Sequence, residues 1–115
     1  MVKYNELSSI LDATNIPCTE YHYEDFTEQT ITIPSLVYII LSNDDRSADG
    51  KPYIRFLNVR IELLTNTIGF EEQELVEKSL SEKDIFFSKS TEYDENNRLF
   101  STIYDITVLP NDSSY

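Results

Sequence analysis

The stretch from Leu36 to Thr65 decides the fold. It opens with Leu36-Val37-Tyr38-Ile39-Ile40-Leu41 and closes with Tyr53-Ile54-Arg55-Phe56-Leu57-Asn58-Val59-Arg60-Ile61-Glu62-Leu63-Leu64-Thr65. The first run is unbroken in apolar residues and rich in β-branched and aromatic side chains, which fits a central strand covered on both faces. In the second, Leu57, Val59, Ile61 and Leu63 alternate with Asn58, Arg60, Glu62 and Leu64. That is the period of two of a half-buried strand. Between them Ser42 to Pro52 is polar, with Asn43, Asp44, Asp45, Asp49 and Gly50, and reads as a turn segment. The two strands and their connection predict an extended hairpin.

Outward from this hairpin the pattern stays legible. Upstream, Lys3 to Ala13 reads as a helix, because Leu7, Ile10 and Leu11 share one face. Asn15-Ile16-Pro17 ends it, since proline cannot continue the ladder and holds its predecessor extended. Cys18 to Tyr23 predicts a short strand, and the polar run Glu24 to Thr32 a loop. Downstream, Gly69 to Leu80 predicts a helix with Glu71, Glu72 and Glu74 in its first turns, where the helix dipole favours anions. Phe70, Val76 and Leu80 are expected to face inward, helped by Leu75.

Ile85 to Lys89 predicts a short strand, Glu92 to Arg98 a charged turn, and Leu99 to Leu109 a closing strand. Phe100, Tyr104, Ile106 and Val108 share a face of that last strand. Pro110 to Tyr115 is a polar tail. The expectation is a single α+β domain over residues 1–109. It has a mostly antiparallel sheet of four to five strands with two helices packed against it, in the order α-β-β-β-α-β-β.

Composition narrows the function. The chain has 115 residues, 40% of them hydrophobic and 12% aromatic, which is a globular mix large enough for a core without disulfides. Nine Lys+Arg against 21 Asp+Glu give a formal charge of −12. Proteins that grip nucleic acid do so with Lys and Arg that displace counterions, so this chain is expected to repel DNA. No apolar run is long enough for a membrane helix, and no signal-peptide pattern opens the sequence. The reading is a soluble protein of a reducing cytoplasm.

Chemistry-bearing motifs are weak throughout. Gly50 and Gly69 lie too far apart for a phosphate-binding loop, and one Cys18 with one His22 cannot build a Cys/His zinc site. Asp45-Arg46-Ser47-Ala48-Asp49-Gly50 matches the first half of a calcium loop, but Phe56 stands where the bidentate Glu belongs. His22 has no nucleophile or orienting partner that the sequence can name, and Cys18 reads as a small buried apolar residue. No catalytic residue, cofactor or metal is expected, and so no enzyme.

A resemblance covers most of the chain, from Tyr4 to about Leu109. Its marks are Pro34-Ser35-Leu36-Val37-Tyr38-Ile39, then Ala48-Asp49-Gly50-Lys51-Pro52-Tyr53, then Ile61-Glu62-Leu63-Leu64-Thr65. An acidic helix follows, then Ile85-Phe86-Phe87-Ser88-Lys89 with Tyr93, and finally Ile103-Tyr104-Asp105-Ile106. In that order they resemble the tail-completion or tail-terminator proteins of long-tailed bacteriophages, which act in head–tail joining. The chain departs from the pattern after Thr65, where Asn66-Thr67-Ile68-Gly69 replaces a more charged link.

The resemblance implies an α+β subunit that forms a ring, commonly a hexamer, capping the tail tube. Its partners would be its own copies, the phage major tail protein and the head–tail connector protein. It would sit in the tail or neck of the virion after synthesis in the host bacterial cytoplasm, with no specific nucleic-acid or membrane partner. The candidate assembly contacts are the two polar projections, with Asp44, Asp45, Asp49 and Tyr53 on one and Glu92, Asp94 and Arg98 on the other. Glu71, Glu72 and Glu74 are the candidate acidic face of the lumen, where like charge would let DNA pass without sticking. A head-side connector of the neck and an acidic DNA-mimic inhibitor are the competing readings.

Overall fold

The alternating strand becomes the spine of the sheet. The computed structural model of the protein describes residues 1–20, 33–46 and 54–111. A 3-10 turn at Tyr4–Glu6 leads into helix α1 (Leu7–Asp12), followed by strands β1 (Cys18–Glu20), β2 (Ser35–Arg46) and β3 (Ile54–Thr65). Helix α2 (Phe70–Glu82), β4 (Ser88–Asp94) and β5 (Leu99–Val108) complete the chain. The strand order is β1-β2-β3-β5-β4. All pairings are antiparallel except β1 with β2, so the sheet is mixed and mostly antiparallel, as the sequence predicts.

Register sets the two faces. Leu36 stands opposite Leu63, Tyr38 opposite Ile61, Tyr104 opposite Ile61 and Ile106 opposite Val59. These side chains form one buried cluster with Leu7, Ile10 and Leu11 of α1 and with Val76 and Leu80 of α2. Both helices therefore cover the same face. Burying such side chains stabilises the fold by roughly 1.5–3 kcal/mol each, so this layer dominates the stability.

Three local features depart from the sequence reading. The N-terminal helix divides into a 3-10 turn and a short α1, because the first residues also reach the sheet. The Tyr4 N–H donates to the Leu109 carbonyl, and the Leu109 N–H to Val2. Strand β2 continues through the polar segment to Arg46, past a register shift between Ile40 and Ser42. Leu36, Val37 and Tyr38 are buried as predicted, but Leu41 beside the shift is 39% exposed. The third feature is β4, which starts at Ser88 rather than Ile85 and runs through Glu92 to Asp94.

Helix α2 turns a narrower stripe inward than expected. Gln73, Val76 and Leu80 are buried, whereas Phe70 and Leu75 are 66% and 45% exposed. Phe70 occupies the first helical position, ahead of the turn that rests on the sheet. Leu75 lies about 100° around the helix from Val76 and so leaves the buried stripe.

The link into α2 has its own chemistry. Gly69 adopts φ 70°, and a Cβ there would stand 2.8 Å from Thr65 Cγ2. Gln73 Nε2 donates to the Ile68 carbonyl at 2.6 Å, and Thr65 Oγ1 donates to the Thr67 carbonyl. The departure after Thr65 is thus a tight turn that only glycine fits. No described helix is long and apolar enough to cross a membrane.

Candidate assembly interface

The two predicted projections lie at opposite ends of the sheet. At one end the β2–β3 ladder runs out to Arg46 opposite Ile54. At the other, Thr65 of β3 stands opposite Phe100, next to the β4–β5 turn. The length of β3 separates these ends, roughly 36 Å at the usual rise of a strand. The sheet therefore carries one hairpin arm at each end of β3.

The first projection is more regular than the sequence suggests. Asp44 and Asp45 are strand residues, opposite Phe56 and Arg55, rather than members of an irregular turn. Their backbones continue the β2–β3 ladder, which polar composition alone does not distinguish from a loop. Asp49 and Tyr53, with Gly50 of the calcium-like motif, lie outside the described residues, as does His22.

The second projection also lengthens. Glu92 and Asp94 belong to β4, where Glu92 stands opposite Ser101 and Asp94 opposite Leu99, and only residues after Asp94 form the turn. Asp94 Oδ1 accepts the Asn96 and Asn97 N–H groups, and its Oδ2 accepts Asn97 Nδ2 at 2.7 Å. These bonds, the Asn97 side chain first, hold its carboxyl below the usual range. Arg98 closes the turn with φ 54°, an unusual conformation for a long side chain. Tyr93 and Phe100 pack at a tilt on the arm, with centroids 4.8 Å apart.

The acidic helix matches its reading in part. Glu71 and Glu74 are exposed, and Glu72 is half-buried. The carboxylate that organises the helix is Glu77, which the sequence reading does not single out. Its Oε2 accepts the Tyr104 hydroxyl at 3.0 Å and Lys89 Nζ at 2.9 Å. A glutamate one turn past a run of glutamates carries no sequence signal of its own; the partners on β5 and β4 give it its role.

On the sheet face away from the helices, Arg60 makes two hydrogen bonds to Asp105, at 2.9 and 3.2 Å. Glu62, beside them and half-buried, has its carboxyl pushed above the usual range, chiefly by desolvation. Phe86, between buried Ile85 and half-buried Phe87, is 91% exposed. It is the most exposed of the described aromatic side chains in that link, a large apolar group held outward by its neighbours.

This α+β arrangement has a counterpart. A chain in the "Virion of native gene transfer agent (GTA) particle" shares the fold. The likeness covers 92% of this chain and 89% of that one, with a TM-score of 0.56 and 10% sequence identity. No protein-family model matches the sequence, nor does any curated protein.

Near the chain ends, Asn111 Oδ1 accepts the Asn5 N–H, which ties the start of the predicted polar tail to the N-terminal turn. Cys18 is free and half-buried, with its thiol pushed up to about 12 by burial and then by Asp12. That environment fits the small apolar role read from the sequence and disfavours a thiolate.

Proposed function

We propose that the protein is a structural subunit of a tailed-phage type of virion, acting as a tail terminator. Copies of it form a ring that caps the tail tube and joins the tail to the head. The likeness in fold to a chain of a gene transfer agent virion, nearly end to end in both chains, is the observation that carries this reading. Two polar hairpins at opposite ends of one sheet suit it, because a part wedged between tube and connector needs two contact surfaces.

The acid balance fits the same role. A ring that turns Glu71, Glu72 and Glu74 toward its lumen repels the phosphate backbone of passing DNA, and a narrow lumen focuses that field. Exposed aromatic groups such as Tyr93 and Phe86 supply contact area, which is where interfaces draw their energy.

Disrupting the gene and imaging the resulting particles by electron microscopy tests the proposal. Headless tails of irregular length are the expected result. Intact, infectious particles of normal tail length would overturn it, and full heads lacking any bound tail would favour a head-side connector.

A further inference from the structure

Both edges of the sheet share three rows. Following the register across all five strands, Glu20 leads through Tyr38, Ile61 and Tyr104 to Lys89. The next row runs from Thr19 through Val37, Glu62 and Ile103 to Ser90. The third runs from Cys18 through Leu36, Leu63 and Thr102 to Thr91. Among the described residues β1 and β4 are the two edge strands, and β1 stands level with residues 89–91 of β4.

We propose that copies of this chain join edge to edge, with β4 of one copy pairing antiparallel with β1 of the next. The inference rests on the reading of an assembling subunit given above and names the surface by which it assembles. Strand direction supports it first. Strand β1 runs with β2, and β4 runs with β3, while β2 and β3 oppose one another. A second copy set beside the first in the same orientation thus brings β1 against β4 in the antiparallel sense, whose hydrogen bonds are the more favourable.

Charge supports it next. With the rows kept level, Lys89 of one copy faces Glu20 of the next, and both stand on the helix-covered side of the sheet. Opposite charges directly across two strands stabilise the pairing, and like charges there oppose it. In a chain with nine Lys+Arg, one of these bases thus stands at one edge level with an acid at the other. The remaining facing residues are Ser90 with Thr19 and Thr91 with Cys18, small groups that set no steric barrier.

The edge itself is suited to a partner. Every residue of β4 is exposed, and the strand contains no proline and no register shift. Natural proteins blunt long open edges with such devices, and an edge without them is a template for another strand. The charged residues of β4 are Lys89, which pairs with Glu77 of its own copy and stands level with Glu20 of the next, and Glu92 and Asp94, which lie beyond the three rows shared with β1. A head-to-tail contact of this kind uses two different surfaces on each copy, so repetition closes into a ring when the rotation between neighbours allows.

Cysteine pairing across the middle row tests the proposal. Thr19 and Ser90 are both exposed, so a Thr19→Cys/Ser90→Cys variant retains the fold. Mild oxidation of the assembled variant is expected to give a ladder of covalent oligomers in denaturing gels. Neither single variant should give one. With the native Cys18 replaced by serine in every variant, covalent dimers from Ser90→Cys alone would mean that β4 pairs with another β4, and would overturn the proposal.

Amide exchange on the unaltered protein gives a second readout. Residues 88–94 are expected to exchange at least tenfold more slowly in the assembled form than in the monomer. Assembled protein with neither the ladder nor this protection overturns the edge pairing but leaves the ring reading standing. A protein that stays monomeric at high concentration and high salt overturns both.

Discussion

The Tyr104 hydroxyl donates to Glu77 Oε2 at 3.0 Å from a side chain with no exposed surface, and Lys89 shares the same oxygen. One carboxylate thus fastens α2 to β5 and β4 together. Removing the hydroxyl in Tyr104→Phe is expected to cost about 1–2 kcal/mol, the range for a hydrogen bond to a charged acceptor. Glu77→Ala should cost more, because it leaves a buried hydroxyl without its acceptor. Urea unfolding midpoints check both, and an unchanged midpoint for Tyr104→Phe would remove the bond from the account.

Gly69 is the second structural test. Its φ of 70° and the 2.8 Å approach of an added Cβ to Thr65 Cγ2 make Gly69→Ala strained on two counts. The variant is expected to lose more than about 1 kcal/mol of stability. Circular dichroism during urea unfolding would show the loss, and a gain in stability would mean that the turn relaxes easily.

Alkaline pH should weaken the fold. Burial, the largest cause in each case, raises the Cys18 thiol from 9.0 to about 12 and Tyr38 from 10.0 to about 12. Tyr4 and Tyr104 are raised as well, by burial and by their bonds to Glu20 and Glu77. A group raised on folding gives stability that is full below its unfolded value and is lost as pH climbs to the folded one. The unfolding midpoint is therefore expected to hold to about pH 9 and fall between there and about pH 12. A midpoint flat across that window would contradict the buried thiol and phenols.

Charge reversal separates contact from scaffold at the second projection. Glu92 is exposed on β4, whereas Asp94 holds the turn through three hydrogen bonds. Glu92→Lys is expected to leave the unfolding free energy within about 0.5 kcal/mol of the original while reducing the yield of joined particles. Asp94→Lys should lower stability as well. Unaltered particle yield for Glu92→Lys would take that residue off the interface.

These variants also mark how far the sequence could be read. The alternation from Leu57 to Leu63 suffices for β3, and Leu7, Ile10 and Leu11 suffice for the first helix, because periodicity reports a buried face directly. The reach of β2 to Arg46 and of β4 to Asp94 is not legible, since solvated hairpin arms carry the same polar residues as loops. Phe70 and Leu75 fail for a different reason. Hydrophobicity says that a side chain gains from burial, but only the placement of α2 on the sheet decides which are covered. Glu77 and the level rows from β1 to β4 are tertiary relationships, with partners many residues away, and no local pattern encodes them.

The central claim is that this acidic chain works by touching its own copies and its neighbours in a particle. Its copy number in purified particles, counted by quantitative peptide mass spectrometry against the major tail protein, tests that most directly. The account predicts a small fixed number, that of a single ring. Particles of full infectivity that contain none of this chain would contradict it.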